Sequence, residues 1–461
     1  MSHACAARHS CSSVVAVISH RGRAALLRRF SSAARAPPVI DLSPLRDGGL
    51  SSSSPLVREV ADACEQWGFF QVVNHGVDED LCARAEEQQR AFFALPMEVK
   101  ECMRRSADNS RGWYNDELTK QRRDWKEGLD FGSTPPMDWS LADADARNGT
   151  LDSSSFPGTL DGYNRFPPAD LLPSFRPTML EYYDALAGVA TGLARPRGDL
   201  GIYITGRHAP KREAVNRRDS SRLGSACQPR RIELLLGPCM PADFFEPYLR
   251  RTQHTSYLRL NYYAPYTGED PTQLCISPHK AGWMPPPTLL RDAGFLTVLR
   301  QDVGCHSLQV RDRQAPDGWV TVRPEPAAFT INTGDMAQIY SNNRYHAPEH
   351  LRDAPEHRVL TSPSTPRYSA PFFYNPAYTA AVQPLPSLGA PHFDRCVWGY
   401  FRAMRFAGDF ADYGEEIQIS DFAKGSDSWH VSNQSRFMAE VDFDASFDVE
   451  AMRPLLTRSS A

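Results

Sequence analysis

Two kinds of side chain that can bind a metal, and one group that can bind a carboxylate, stand at strand ends in the second half of the chain. His279 closes the run Ser277-Pro278-His279, and Asp292 precedes Phe295-Leu296-Thr297. His350 and His357 lie just ahead of Arg358-Val359-Leu360. Two imidazoles and one carboxylate on one side of a metal leave coordination positions open, which suits a non-haem Fe(II) that activates O2. Taken singly, a His or Asp at a strand end reads more simply as a turn or capping residue. Only the combination points to metal chemistry.

Downstream, Arg367-Tyr368-Ser369 alternates as a strand does, so Arg367 and Ser369 share a face. A guanidinium beside a hydroxyl can grip a carboxylate, the Arg in a bidentate manner. Tyr263, on an earlier strand, can supply a further hydroxyl. An ordinary surface Arg is the plainer reading of Arg367 by itself.

The elements that must position these groups follow from hydropathy patterning. Val39-Ile40-Asp41-Leu42 reads as a short strand. Val57, Val60, Ala61 and Cys64 lie on one face of a helix that ends near Trp67. Phe69-Phe70-Gln71-Val72-Val73 is β-rich, with Asn74-His75-Gly76 as the turn after it. A second helix runs from about Asp78 to Phe93, and Pro96 stops it. Residues 105–175 read as loop-rich. A third helix starts near Pro177 and carries Leu180, Tyr183, Leu186 and Val189. From Tyr257 to Tyr374 the chain becomes a series of short strands: 258–263, 295–299, 319–322, 329–332, 357–360 and 368–373. Many short strands separated by Gly, Pro, Asn and Asp suggest a sandwich or barrel.

The bulk numbers bound the answer. The chain has 461 residues, 41% apolar and 23% charged, with a formal net charge of −4. That is enough for a large core and gives no basic surplus of the kind a nucleic-acid binder shows. The 10 cysteines form no C-x-x-C pair, which argues against a zinc ribbon or redox motif. No apolar run is long enough to span a membrane. The first 36 residues carry Arg8, Arg21, Arg23, Arg28, Arg29 and Arg35 and no acid. An Arg- and Ser-rich, acid-poor start reads as an organellar transit peptide. A mitochondrial address is the first expectation, with a plastid or cytoplasmic location as alternatives.

Together these pieces resemble the isopenicillin-N-synthase-like family of Fe(II)/2-oxoglutarate oxygenases. The resemblance rests on Pro38-Val39-Ile40-Asp41-Leu42, on Trp67-Gly68-Phe69-Phe70-Gln71-Val72-Val73-Asn74-His75-Gly76, and on Asn261-Tyr262-Tyr263. It extends to Ile331-Asn332-Thr333-Gly334-Asp335-Met336, Glu356-His357-Arg358-Val359 and Arg367-Tyr368-Ser369. It implies a mixed α+β fold dominated by a double-stranded β-helix, or jelly roll, with flanking helices mostly N-terminal. It implies His279, Asp292 and His357 as Fe(II) ligands, and Arg367 and Ser369, with Tyr263 assisting, on the far carboxylate of 2-oxoglutarate. With O2, such a site hydroxylates or desaturates a small molecule while 2-oxoglutarate goes to succinate and CO2. Which molecule, and in what oligomeric state, the sequence leaves open.

The chain departs from the family pattern in three places. The family writes its first two ligands as His-x-Asp, whereas here the 11 residues Ala281–Arg291 intervene before Asp292. Ala347-Pro348-Glu349-His350 recurs as Ala354-Pro355-Glu356-His357, so either histidine can be the distal ligand; His357 fits better because it runs directly into Arg358-Val359. Residues 195–231 hold 10 Lys and Arg against 3 acids and interrupt a helical region. These read as imperfect exon boundaries or as loop expansion. The expected division is a leader (1–36), an N-terminal oxygenase region (37–175), a helix with the basic insertion (176–256), the jelly-roll core (257–375) and a C-terminal extension (376–461). Two readings follow: an active oxygenase, or a catalytically impaired relative whose split metal site leaves a ligand- or partner-binding barrel.

Overall fold

A computed structural model describes residues 35–46, 54–106, 109–119, 122–132, 161–194, 255–268, 274–276, 292–312, 314–345, 357–408, 417–424 and 447–448. Contacts divide the chain into two units, 1–36 and Pro37–Ala461, and the second holds every element described below. His279, His350 and the basic segment 195–231 lie outside the described residues.

The first elements are β1 (Val39–Asp41), α1 (Ser43–Arg46), α2 (Pro55–Gln66), β2 (Phe69–Val73), α3 (Glu79–Phe93) and α4 (Met97–Glu101). Then come β3 (Gly112–Tyr114), β4 (Leu118–Thr119), β5 (Arg122–Arg123), β6 (Glu127–Gly132) and the long α5 (Phe175–Ala194). The core strands are β7 (Tyr257–Tyr263), β8 (Leu274–Ile276), β9 (Leu296–Gln301), β10 (Leu308–Arg311), β11 (Trp319–Thr321) and β12 (Phe329–Thr333). The run closes with α6 (Asp335–Tyr340), β13 (His357–Leu360), β14 (Arg367–Tyr374), β15 (Ala381–Val382), β16 (Cys396–Val397) and α7 (Trp398–Gly408).

Local chemistry explains the helix starts. Pro55 opens α2, where its missing N–H costs nothing. Asp78 caps α3 by accepting the Asp80 amide at 2.9 Å. The strands form an eight-stranded sheet in the order β1-β2-β12-β9-β14-β7-β6-β3, faced by a four-stranded sheet β11-β10-β13-β8. All pairings in these two sheets are antiparallel except β1 with β2. A large, mostly antiparallel sheet covered by a smaller one is the arrangement of a jelly-roll core.

The stretch from 105 to 175 is less loop-like than its composition suggests, because it supplies β3 and β6 to the large sheet. Glu127-Gly128-Leu129-Asp130-Phe131-Gly132 lacks β-branched residues, so propensity gives little strand signal there. Its Gly128 is required by packing. It lies opposite Tyr114, whose ring occupies the space a Cβ would need.

Period-two alternation gives the large sheet two different faces. Leu258, Leu260, Val298, Ile331, Ala370 and Phe372 point to one side and pack on the helices with Val60, Phe92, Met179 and Leu186. Tyr263, Leu299 and Phe69 point to the other and pack with Leu308, Val310 and Val359 of the small sheet. Each fully buried apolar side chain contributes roughly 1.5–3 kcal/mol, so the helix-side core dominates stability. Gln89, buried on α3, donates to the carbonyls of both Asn261 and Ser369 at 3.0 Å and ties the helix to β7 and β14.

Toward β3 and β6, ionic groups line the interior of the large sheet. Arg259 makes two 2.8 Å hydrogen bonds to Asp130 and lies 3.3 Å from Glu117. Lys126 pairs with Glu117 and, at 3.2 Å, with Asp124. Burial pushes the Glu117 carboxyl up, but Arg259, Lys126 and Arg105 outweigh it and hold the group well below the usual carboxylate range. A depressed carboxyl contributes stability above its unfolded pKa, and that contribution is lost as pH falls toward the folded value. We therefore expect Glu117→Gln to cost about 3–5 kcal/mol near neutral pH, because it strands buried cations. The gap from wild type should narrow as pH falls below about 4, where the wild-type carboxyl begins to lose its advantage. Urea unfolding across that pH range checks it; a gap constant with pH contradicts it.

Candidate functional site

The site occupies the face of the large sheet that the small sheet covers. Register fixes who stands beside whom: Arg367 faces Tyr263 and Ser369 faces Asn261 across β14 and β7. Ser369 also faces Gln301 across β14 and β9. Arg367 is 3% exposed, and its guanidinium donates to Ser369 Oγ at 3.2 Å and to Gln301 Oε1 at 3.1 Å. The Tyr263 ring centre lies 4.9 Å from the guanidinium carbon, so the aromatic face supports the cation. Asn261 donates to Ser369 Oγ at 3.4 Å.

Among the described residues, no carboxylate pairs with Arg367, and its Nε is buried without a hydrogen-bond partner. Other buried arginines have acids beside them: Arg259 has Asp130 and Arg402 has Asp161. A buried cation held only by neutral groups is costly unless an anion completes it. The donor set fits the remote carboxylate of 2-oxoglutarate: a guanidinium with an unused N–H, and a hydroxyl at its side.

Asp292 is held at both its main chain and its side chain. Thr297 Oγ1 donates to its carboxylate, and Asn332 Nδ2 donates to the same oxygen at 2.7 Å. Its carbonyl accepts the Asp335 amide at 2.8 Å. Alongside, Phe295 and Gly294 accept from Gly334 at 2.9 Å and Met336 at 3.0 Å. Three consecutive N–H groups leading into α6 thus clamp residues 292–295. Gly334 permits the approach, since a Cβ there would overlap the carbonyl oxygens of Asp292 and Gly294.

His357 opens β13 on the small sheet. Its ring meets Phe69 edge-on at 5.5 Å. Phe69 is paired in register with Asn332, the residue that orients Asp292. On its other side Asn332 stands opposite Thr297, its partner on the Asp292 carboxylate. A chain of contacts thus runs from His357 through Phe69 and Asn332 to Asp292. The buried His357 Nδ1 has no hydrogen-bond partner among the described residues. Among those residues no three His, Cys, Asp or Glu groups are gathered to hold a metal ion; the third expected ligand, His279, lies outside them. Imidazole and carboxylate are the donor types Fe(II) takes.

The contact of Tyr263 with Arg367 is made by its ring rather than by the hydroxyl that the sequence offers. Gln301, Thr330, Asn332 and Thr297 belong to the site without a role that the sequence motifs assign. Alternation already places Thr297, Leu299 and Gln301 on one face of β9, and two polar residues on a buried strand face are the signal that marks them.

The clamp is directly testable. Gly334→Ala is expected to lose about 1–3 kcal/mol through overpacking. The amides of residues 334–336, which donate the hydrogen bonds of the clamp, should also gain hydrogen–deuterium exchange out of proportion to β9. Exchange rising evenly across the sheet, or not at all, argues against a local clamp.

Two family models match this chain: the non-haem dioxygenase N-terminal region over residues 37–157 and the 2OG-Fe(II) oxygenase superfamily over residues 254–376. Jasmonate-induced oxygenase 2 of Arabidopsis thaliana is 31% identical over 356 residues, covering 77% of this chain and 74% of the relative. Gibberellin 2-beta-dioxygenase 6 of Oryza sativa subsp. japonica is 29% identical over 394 residues, covering 84% and 85%. A full-length Neurospora crassa protein crystallised with alpha-KG and thymine shares the fold, with a TM-score of 0.54 at 18% identity over 83% of this chain and 99% of that one. The chain belongs to the 2OG-Fe(II) oxygenase superfamily and is a non-haem dioxygenase that uses Fe(II), 2-oxoglutarate and O2.

Proposed function

We propose that the barrel hydroxylates or desaturates a small organic molecule, with His279, Asp292 and His357 holding Fe(II) and with Arg367, Ser369 and Tyr263 holding 2-oxoglutarate. The observation that carries this reading is the Arg367 guanidinium, which among the described residues is buried with neutral partners and an unused Nε. Bound Fe(II), with 2-oxoglutarate and O2, supplies an oxidation of substrate coupled to decarboxylation of 2-oxoglutarate to succinate.

The chain's own residues do the rest. Thr297 and Asn332 both donate to one Asp292 oxygen, which fixes the carboxylate plane and leaves its second oxygen for the metal. Phe69 fixes the His357 ring from its edge. Arg367 and Ser369 anchor the remote carboxylate and so orient the 2-oxo acid end. Leu299, Leu308, Val310 and Val359 form an apolar wall that excludes water.

Relatives include a gibberellin dioxygenase and a flavonoid 7-O-demethylase, which supports a small-molecule substrate without specifying it. We read the fold as mixed α+β with mainly N-terminal flanking helices, divided into regions at 37, 176, 257 and 376. The composition of the first 36 residues supports a mitochondrial address. No described helix is long and apolar enough to cross a membrane.

The test is anaerobic Fe(II) titration of the purified chain, followed by succinate release from 2-oxoglutarate with ascorbate. Wild type is expected to bind one Fe(II), and His279→Ala, Asp292→Ala and His357→Ala each to weaken binding by roughly 10–100-fold or more. Retention of wild-type iron affinity by any of the three removes that residue from the ligand set. No iron binding by wild type favours the impaired, non-catalytic relative.

A further inference from the structure

We propose that Gln301 is a positioning residue that keeps the charge of Arg367 available, and thereby sets the preference of the site for dicarboxylic over monocarboxylic 2-oxo acids. This rests on the assignment of Arg367 to the remote carboxylate. It adds a reason why the arginine is free to serve.

Gln301 is 6% exposed and ends β9, directly across from Ser369 on β14. Its Oε1 accepts from Arg367 at 3.1 Å and its Nε2 donates to Thr330 Oγ1 at 3.0 Å. Turning the amide over would set its NH2 against guanidinium N–H groups, donor against donor, so Arg367 fixes its orientation. Thr330 then satisfies the other end. Both halves of the amide are used, and one guanidinium N–H is engaged by a neutral acceptor.

The residue type matters as much as the geometry. Glu and Gln are nearly isosteric, and a buried arginine would ordinarily take the acid. In this same sheet Arg259 has Asp130, and Arg300, next to Gln301 on β9, has Glu86 at 2.9 Å. At Arg367 the corresponding position carries an amide. The amide holds the guanidinium in place without neutralising it. The positive charge is left for an incoming carboxylate, which Ser369 Oγ and the unused Nε can help to bind. An acid at 301 would satisfy the arginine internally and repel the ligand's carboxylate.

The experiment compares wild type, Gln301→Glu, Gln301→Met and Arg367→Leu as full chains loaded with Mn(II) under anaerobic conditions, so that no turnover intrudes. The probes are 2-oxoglutarate and 2-oxopentanoate, which lacks the remote carboxylate. Binding is read by calorimetry, and melting is read with and without ligand. Q301E should melt at or above the wild-type temperature when ligand-free, yet bind 2-oxoglutarate at least about tenfold more weakly, the scale of one charge-assisted hydrogen bond. Its affinity for 2-oxopentanoate should change little, so the selectivity ratio collapses. Q301M keeps the charge but removes the acceptor, so it should retain selectivity. In a parallel Fe(II) turnover assay it should raise KM for 2-oxoglutarate about threefold or more and leave kcat at saturation within about twofold.

A wild-type selectivity ratio in Q301E, with the ratio lost in R367L, overturns the role of Gln301 and leaves the carboxylate site standing. A wild-type ratio in both overturns the carboxylate site itself. If Q301E does not fold, a wild-type KM in Q301M is enough to overturn the proposal.

Discussion

Three backbone N–H groups in a row, from Gly334, Asp335 and Met336, reach across to the carbonyls of Phe295, Asp292 and Gly294, and much of the site depends on that clamp. Side chains swing; a peptide chain hydrogen-bonded at consecutive residues does not. The clamp sets where Asp292 begins, and Asn332 and Thr297 set where its carboxylate ends. All of the donors come from β9, β12 and the turn into α6, and β9 and β12 are paired inside the large sheet. Asp292 therefore inherits its position from a deeply buried part of the fold.

The two faces of that sheet divide the labour. The helix side is apolar and supplies stability. The barrel side places Asn261, Ser369, Arg367, Gln301 and Thr330 where water is excluded, and every such group carries a desolvation cost that only a partner can offset. Most of them partner one another through register: Ser369 sits between Asn261 and Gln301, and Gln301 reaches Thr330. Arg367 is the cation in this network, and it finds only neutral partners there. A fold stable enough to leave one cation uncompensated can use that charge for binding, and Gln89 braces the two strands concerned from behind through the carbonyls of Asn261 and Ser369.

How much of this is legible in the sequence follows the same division. Alternating strands such as 258–263 and 329–332 are plain because one face is strongly apolar. So are α2 and α3, with Pro55 and Asp78 marking their starts. β6 is obscured because Gly128 and Gly132 carry no β signal, and the need for Gly128 comes from a ring on another strand. That Arg367 and Ser369 stand side by side on one strand face is legible through period two. That Tyr263 serves Arg367 through its ring requires the cross-strand register. Gln301 carries no motif of its own, and its meaning emerges only when β9 is laid beside β14.

The 11 residues that separate His279 from Asp292, beyond the family's single spacer, bear on the site quantitatively. The chain between β8 and Asp292 comprises residues 277–291, that is 15 residues where 4 would remain without the insertion. Each doubling of a flexible connection costs only about 0.6 kcal/mol in closure entropy, so this lengthening costs roughly 1–1.5 kcal/mol. Both flanks are fixed independently: β8 is paired to β13, the strand that His357 opens, and Asp292 is clamped to α6. The anchoring of β8 and of Asp292 thus rests on residues outside the added length. Two of the three expected ligands are held by contacts among residues outside the insertion, and the positions of Arg367 and Ser369, proposed to hold 2-oxoglutarate, are set by the pairing of β14 with β7 and β9.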